Sequence, residues 1–219
     1  MINKRVLLLC GHYGSGKTNI AVNLAMTLSK DHPRVTIADL DIVNPYFRSK
    51  DSARSFEDAG IRLICSEYAN TNVDIPALPQ DLYAITDDRG MRVIVDVGGD
   101  DRGALALGRI TPALLAENDY EMLMVINGYR PLTRDAASTV EVMREIEAAC
   151  RIRFTGLVNN SNLGRETTEE DVLASVAYAE SVSAASGLPI LMTTVDARLA
   201  DGLAGKITNL FPLQLQKKL

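Results

Sequence analysis

An α/β architecture, a mostly parallel sheet of about seven strands with helices on both faces, follows from three features of this 219-residue chain. Short apolar runs of strand length alternate with stretches of helical periodicity from one end to the other, the pattern of strands buried on both faces. Between the first run and the first helical stretch stands Gly11-His12-Tyr13-Gly14-Ser15-Gly16-Lys17-Thr18, which has the form G-x-x-x-x-G-K-[ST]. Later runs end on carboxylates and amides: Asp39-Leu40-Asp41, Asp96-Val97-Gly98-Gly99, Asn159-Asn160 and Asp196. Ligands of such sheets bind outside the carboxyl ends of the strands, so these residues point to one site.

Taken in order, strands are expected at 5–10, 34–39, 61–65, 91–96, 120–126, 152–158 and 189–195, the first on the run Val6-Leu7-Leu8-Leu9-Cys10. Helices are expected at 17–30, 50–59, 79–88, 103–116, 132–150 and 167–186. In the first of them Ile20, Leu24, Ala25 and Leu28 share one face. Thr133 precedes Val140, Met143 and Ile146 on one face of the fifth. Thr167 and Glu170 have the spacing of a capping box for the last, and Gly187 ends it before Pro189. Residues 66–79 contain Pro76 and Pro79 without sustained periodicity and read as an irregular excursion. In 210–219 the apolar residues alternate around Pro212 instead of forming one helical face, and the segment is too small to hold a membrane alone.

Composition narrows the class. Hydrophobic residues make up 47% and charged residues 23%, values of a globular chain, and no linker or repeat divides 1–219, so one domain is expected. A net charge of −5 argues against broad nucleic-acid binding. The short apolar run after Lys4 and Arg5 falls below a signal-peptide core and far below a membrane span, which predicts a cytoplasmic location with no membrane partner. Cys10, Cys65 and Cys150 are odd in number and far apart, which favours thiols over a disulfide framework or a metal cluster.

The glycine-rich turn carries chemistry of its own. Glycines let the backbone curl so that successive N–H groups converge on an anionic phosphate chain, and the helix that follows adds its unpaired amides and positive dipole end. Lys17 supplies a point charge for the phosphates and Thr18 a hydroxyl for Mg²⁺. Three carboxylate positions beside such a loop suit a hard cation that takes oxygen ligands and keeps several waters. The loop thus makes the chain a nucleotide binder of P-loop NTPase fold.

In this order the elements resemble those of the MinD/ParA-like (CobQ/CobB/MinD/ParA) P-loop ATPases, a family that includes the nitrogenase iron protein. The resemblance spans most of the chain and implies ATP and Mg²⁺ as cofactors, slow ATP hydrolysis coupled to a nucleotide-dependent homodimer, and a protein cargo or effector met through the switch loops. It implies that Gly11, His12, Tyr13, Gly14, Ser15, Gly16, Lys17, Thr18 and Asn19 hold the phosphates. Asn159 would contact the base and the backbone after Asp196 would line it. The metal would fall to Thr18, Asp39, Asp41 and Asp96, and catalysis to Lys17 and Asp41, the latter orienting the attacking water. Gly98 and Gly99 would let a second switch reach the terminal phosphate.

One departure stands inside the loop. The family's dimer-activated members carry a lysine directly after the first glycine, and this chain has His12 and Tyr13. Arg102 and Arg130 are candidates to supply the missing charge. The segment 42–49, with Pro45, Tyr46, Phe47 and Arg48, is a candidate docking surface. A phosphoryl-transfer enzyme, in which Asp41 accepts a substrate proton, is the alternative reading; a module that retains ATP without hydrolysing it is a third. ATP over GTP is what the resemblance implies, and Asn159-Asn160-Ser161-Asn162 lacks the lysine and aspartate of a guanine-reading loop.

Overall fold

The computed structural model describes residues 3–40, 50–65, 82–99 and 101–215, the side chains of 50–53, 101 and 102 excepted. Eight strands are seen: β1 Val6–Cys10, β2 Val35–Asp39, β3 Ile61–Cys65, β4 Arg92–Asp96, β5 Tyr120–Ile126, β6 Gly156–Asn159, β7 Ile190–Asp196 and β8 Leu210–Leu213. They form one sheet in the order β3-β2-β4-β1-β5-β6-β7-β8, and every observed pairing is parallel. The connection out of β1 runs to one side of the sheet and β5 returns on the other, so the chain leaves β1 at the switch point.

Helices cover both faces: α1 Lys17–Leu28, α2 Lys50–Asp58, α3 Ala84–Asp87, α4 Asp101–Gly108, α5 Thr111–Glu117, α6 Ala136–Cys150, α7 Glu169–Ser186 and α8 Ala200–Leu203. The pleat of β1 sorts its side chains. Leu7 and Leu9 pack with Ile20 and Leu24 of α1 and Phe56 of α2. Val6, Leu8 and Cys10 point the other way, into a core shared with Leu107 of α4, Leu114 of α5, Met143 of α6 and Val182 of α7. Each such buried side chain contributes roughly 1.5–3 kcal/mol of transfer free energy, which holds the central strand, and the loop that follows it, in place.

The differences from the sequence expectation have local causes. A single helix at 103–116 is observed as α4 and α5, because Pro112 has no N–H for Gly108 and fits only in the first turn of a new helix. The strand expected from 152 starts at Gly156; Ile152 and Phe154 are buried as anchors, and the Phe154 amide donates to the Glu147 carboxylate. Asp135, not Thr133, caps α6 by accepting from the Ser138 amide at 2.9 Å. The capping box of α7 is Thr168 with Asp171, one residue beyond the expected pair, while Thr167 closes the turn before it through Leu163 and Gly164. Gly187 ends α7 in the left-handed region, as expected. The alternating apolar residues near the C-terminus form the edge strand β8, where Pro212 is tolerated since an edge leaves one side of the backbone without a ladder partner. The excursion at 66–79 and the segment 42–49 lie outside the described residues. Among the described residues no helix is long and apolar enough to cross a membrane.

Candidate functional site

The glycine-rich loop leaves β1 between β4 and β5 and turns directly into α1. Gly11 has φ +150°, and a Cβ there would lie 2.5 Å from the Val125 carbonyl oxygen, so only glycine lets the loop pass β5. Gly16, at φ +90°, is the N-cap of α1, and a Cβ would run into the Asn160 amide. Lys17 is only 6% exposed. Its Nζ folds back to donate to the carbonyls of Gly11 at 3.0 Å and His12 at 3.3 Å, so the ammonium sits across the loop.

Three neighbours brace this curve. Asn160 donates its amide to the Ser15 carbonyl at 2.6 Å and accepts from Thr194 Oγ1 of β7 at 2.6 Å, tying the loop to the far side of the sheet. Arg130 Nε donates to the Gly14 carbonyl at 3.0 Å. Gly99 packs so closely that a Cβ there would lie 2.6 Å from the Tyr13 nitrogen, which puts the expected second switch against the loop backbone. Tyr13 itself is 63% exposed, and His12 Nδ1 lies 3.1 Å from the Tyr13 carbonyl oxygen.

The metal side lies at the ends of β4 and β2. Thr18 Oγ1 donates to Asp96 Oδ2 at 2.6 Å, and the Asp96 residue is 1% exposed. Asp39 is the register partner of Asp96 on the adjoining strand and is also buried. Asp41 lies outside the described residues, as does the Arg102 side chain. Two further polar atoms at the loop, Ser15 Oγ and Asn19 Oδ1, are buried with no hydrogen-bond partner. Buried polar groups are nearly always satisfied, so orphaned oxygens beside a loop of converging amides fit a polar ligand. Among the described residues no cluster of three His, Cys, Asp or Glu could cage a metal. Thr18 and Asp96 offer the oxygen donors a hard cation such as Mg²⁺ takes.

On the base side both expected side chains are engaged within the protein. The Asn159 side chain donates to Ser175 Oγ at 3.0 Å and accepts from the Ser161 amide, so it is occupied inside the protein. Asp196 accepts from the backbone and Nε of Arg198, whose Nη2 clamps the carbonyls of Arg165 and Thr167. What sequence reasoning missed is the buried Asn127, whose Oδ1 accepts from Tyr129 and Asn162, with the Gly128 amide donating to Ser161 Oγ. These bonds lock the loops after β5 and β6 together. The signal available was a polar residue directly after each of those apolar strands.

Cys10, just before the loop, is no nucleophile: burial pushes its thiol well above the ordinary range, with Cys150 adding to the effect. A cavity of about 280 Å³ lies at the other end of the sheet, lined by Arg5, Arg34, Arg89 and Arg92 among others. It is remote from the loop and has none of its chemistry.

No family model and no curated protein matches the sequence. Solved structures do match the fold. One is the chloroplast FtsY of Physcomitrella patens, at 19% identity and TM-score 0.58 over 87% of this chain and 58% of that one. Another is the signal recognition particle receptor FtsY of Elizabethkingia anophelis in complex with GDP, at 16% identity and TM-score 0.54 over 99% and 61%. A third is the signal recognition particle 54 kDa protein of Aeropyrum pernix K1 in complex with GDP, at 17% identity and TM-score 0.53 over 87% and 41%. The chain therefore spans less than two thirds of each solved chain. The class that fold and loop define is the α/β P-loop NTPase fold, with an eight-stranded parallel sheet between helical layers.

These matches correct the expectation of a MinD/ParA-like ATPase, since the relatives found by fold are signal-recognition-particle proteins. The reason is physical: a phosphate loop, an aspartate after the second strand and an Asp-x-Gly-Gly turn serve any Mg²⁺-nucleotide switch of this fold, so they do not select a branch. ATP as the cofactor, an ATP hydrolase, the kinase alternative and an ATP-dependent homodimer give way for the same reason, because the relatives solved with nucleotide hold GDP.

Proposed function

We propose that this chain is a nucleotide-controlled switch of the GTPase type, binding Mg²⁺·GTP at the loop of residues 11–18 and changing its association with a partner protein as the nucleotide is hydrolysed. The observation that carries the reading is the Thr18–Asp96 hydrogen bond, which places a hydroxyl and a carboxylate beside a braced, glycine-built phosphate cradle. GTP is favoured by the guanosine diphosphate in two structures of the same fold. A partner is favoured because those structures are of a receptor and of a particle protein.

In this role Lys17 exchanges its bonds to the Gly11 and His12 carbonyls for phosphate oxygens. The charge is already in place, so little reorganisation is needed. Thr18 would hold Mg²⁺ directly and Asp96 would accept from its water shell, with Asp39 in support; the ion supplies charge neutralisation between the terminal phosphates. Gly99, in contact with the loop backbone, is where the state of the site passes to the segment that begins α4. Asp41 is the residue proposed to orient the attacking water.

The test is a set of equilibrium titrations with GTP, GDP and ATP, with Mg²⁺ and with a chelator, followed by phosphate release. GTP should bind more tightly than ATP, Mg²⁺ should strengthen it, and free phosphate should appear slowly. Tighter binding of ATP would refute the GTPase assignment, since 159–162 carries no lysine or aspartate to read guanine and selectivity must come from elsewhere.

A further inference from the structure

Arg130 and Arg198, both exposed at the carboxyl end of the sheet, are used differently. Arg198 is held on two sides: Nε pairs with Asp196 at 2.9 Å and Nη2 donates to the Arg165 and Thr167 carbonyls. Among the described residues Arg130 makes one side-chain hydrogen bond, from Nε to the Gly14 carbonyl, and no carboxylate pairs with it. Its guanidinium lies along the open side of Gly14, whose missing Cβ would sit 3.6 Å from Nε and 3.8 Å from Cζ. A side chain on Gly14 would press on that stack.

The arginine is also held by a stiff mount. Thr133 Oγ1 and the Arg130 amide both donate to the carbonyl of buried Asn127, the Gly128 amide donates to Ser161 Oγ, and the Tyr129 hydroxyl donates to the Asp171 carbonyl at 3.0 Å. A Cβ on Gly128 would collide with the Tyr178 ring, so the segment lies tight against α7. The backbone that carries this exposed charge is thus fixed at the rim and Nε is tethered to the loop, which lowers the entropy lost when the guanidinium meets a ligand.

We propose that Arg130 is a phosphate-binding residue, anchored to the loop by Nε and offering its two Nη groups to the phosphate chain of the nucleotide. This rests on the nucleotide-switch reading above. The planar guanidinium suits the double task, since its donors form a rigid fork that can hold a carbonyl on one edge and an anion on the other.

The discriminating variant is Arg130→Gln, because the glutamine Nε2 can occupy the place of arginine Nε and keep the bond to Gly14 while losing the charge and the Nη donors. Mg²⁺·GTP titrations over a range of salt concentrations, with melting curves of each protein, form the test. Arg130→Gln should melt like the wild type, bind GTP about tenfold more weakly, and show a flatter dependence on salt. Arg130→Lys, which keeps the charge, should bind more tightly than Arg130→Gln. Wild-type affinity and salt dependence in Arg130→Gln would overturn the proposal and leave Arg130 a brace only. If that result comes with a wild type that binds GTP and a Lys17→Ala variant that does not, the switch reading survives; if the wild type binds no GTP, both fall.

Discussion

The two ends of the sheet are both rich in charge, and they treat it in opposite ways. At the amino end, the buried Arg5 guanidinium is matched by Glu117 at 2.5 Å and by the carbonyls of Ile85, Asp88 and Met91. Arg34 is matched by Asp88, whose carboxyl is held below the ordinary range by the Gly90 amide and by Arg34. At the carboxyl end, Ser15 Oγ and Asn19 Oδ1 are buried and unsatisfied, and Arg130 has donors to spare. The lesson is that satisfied charge marks support and unsatisfied polarity marks a site, even where a cavity opens at the supported end.

Breaking the supported end should cost stability and spare binding. Arg5→Ala leaves Glu117, only 7% exposed, as a buried charge without its partner. A loss of about 3–5 kcal/mol is expected in denaturant melts, with GTP affinity unchanged in the protein that remains folded. A melt like that of the wild type would mean that the knot at the amino end is not a support.

A smaller effect sharpens the comparison within the carboxyl end, at the start of α7. The Asp171 carboxyl is held below its ordinary range by the backbone amide of Thr168 and then by the Thr168 hydroxyl, in the capping box of α7. A lowered carboxyl favours the folded state above the unfolded value, and that contribution is lost as pH falls through the folded one. Asp171→Asn should therefore be less stable than the wild type at neutral pH, with the gap closing on acidification. Melts across pH read this directly, and a gap independent of pH would remove the charge from the account.

Much of this was legible in the chain. Apolar runs located the strands, two of them, 61–65 and 120–126, with the observed bounds. The loop 11–18 was legible because phosphate binding restricts both backbone and side chains. Caps were misplaced by a residue or two, since neighbouring Thr, Asp and Glu compete for the same amides. β8 was hidden by Pro212, whose place on an edge is a tertiary fact. Asn127 was not read as part of the site, and Asn160 was read there only as a strand end, because their roles arise from contacts between loops, to Asn162 and to Ser15. The branch of the fold was misread because its motifs answer to Mg²⁺-nucleotide chemistry in general.

The central claim is that the loop of residues 11–18 binds the phosphates through a lysine the free protein already holds in place. Titration of Mg²⁺·GTP into Lys17→Ala, alongside its melting curve, tests it most directly. Removal of charge-assisted bonds of roughly 1.5–3 kcal/mol should weaken GTP binding tenfold or more while the fold persists. Undiminished GTP affinity in a folded Lys17→Ala protein would contradict the account.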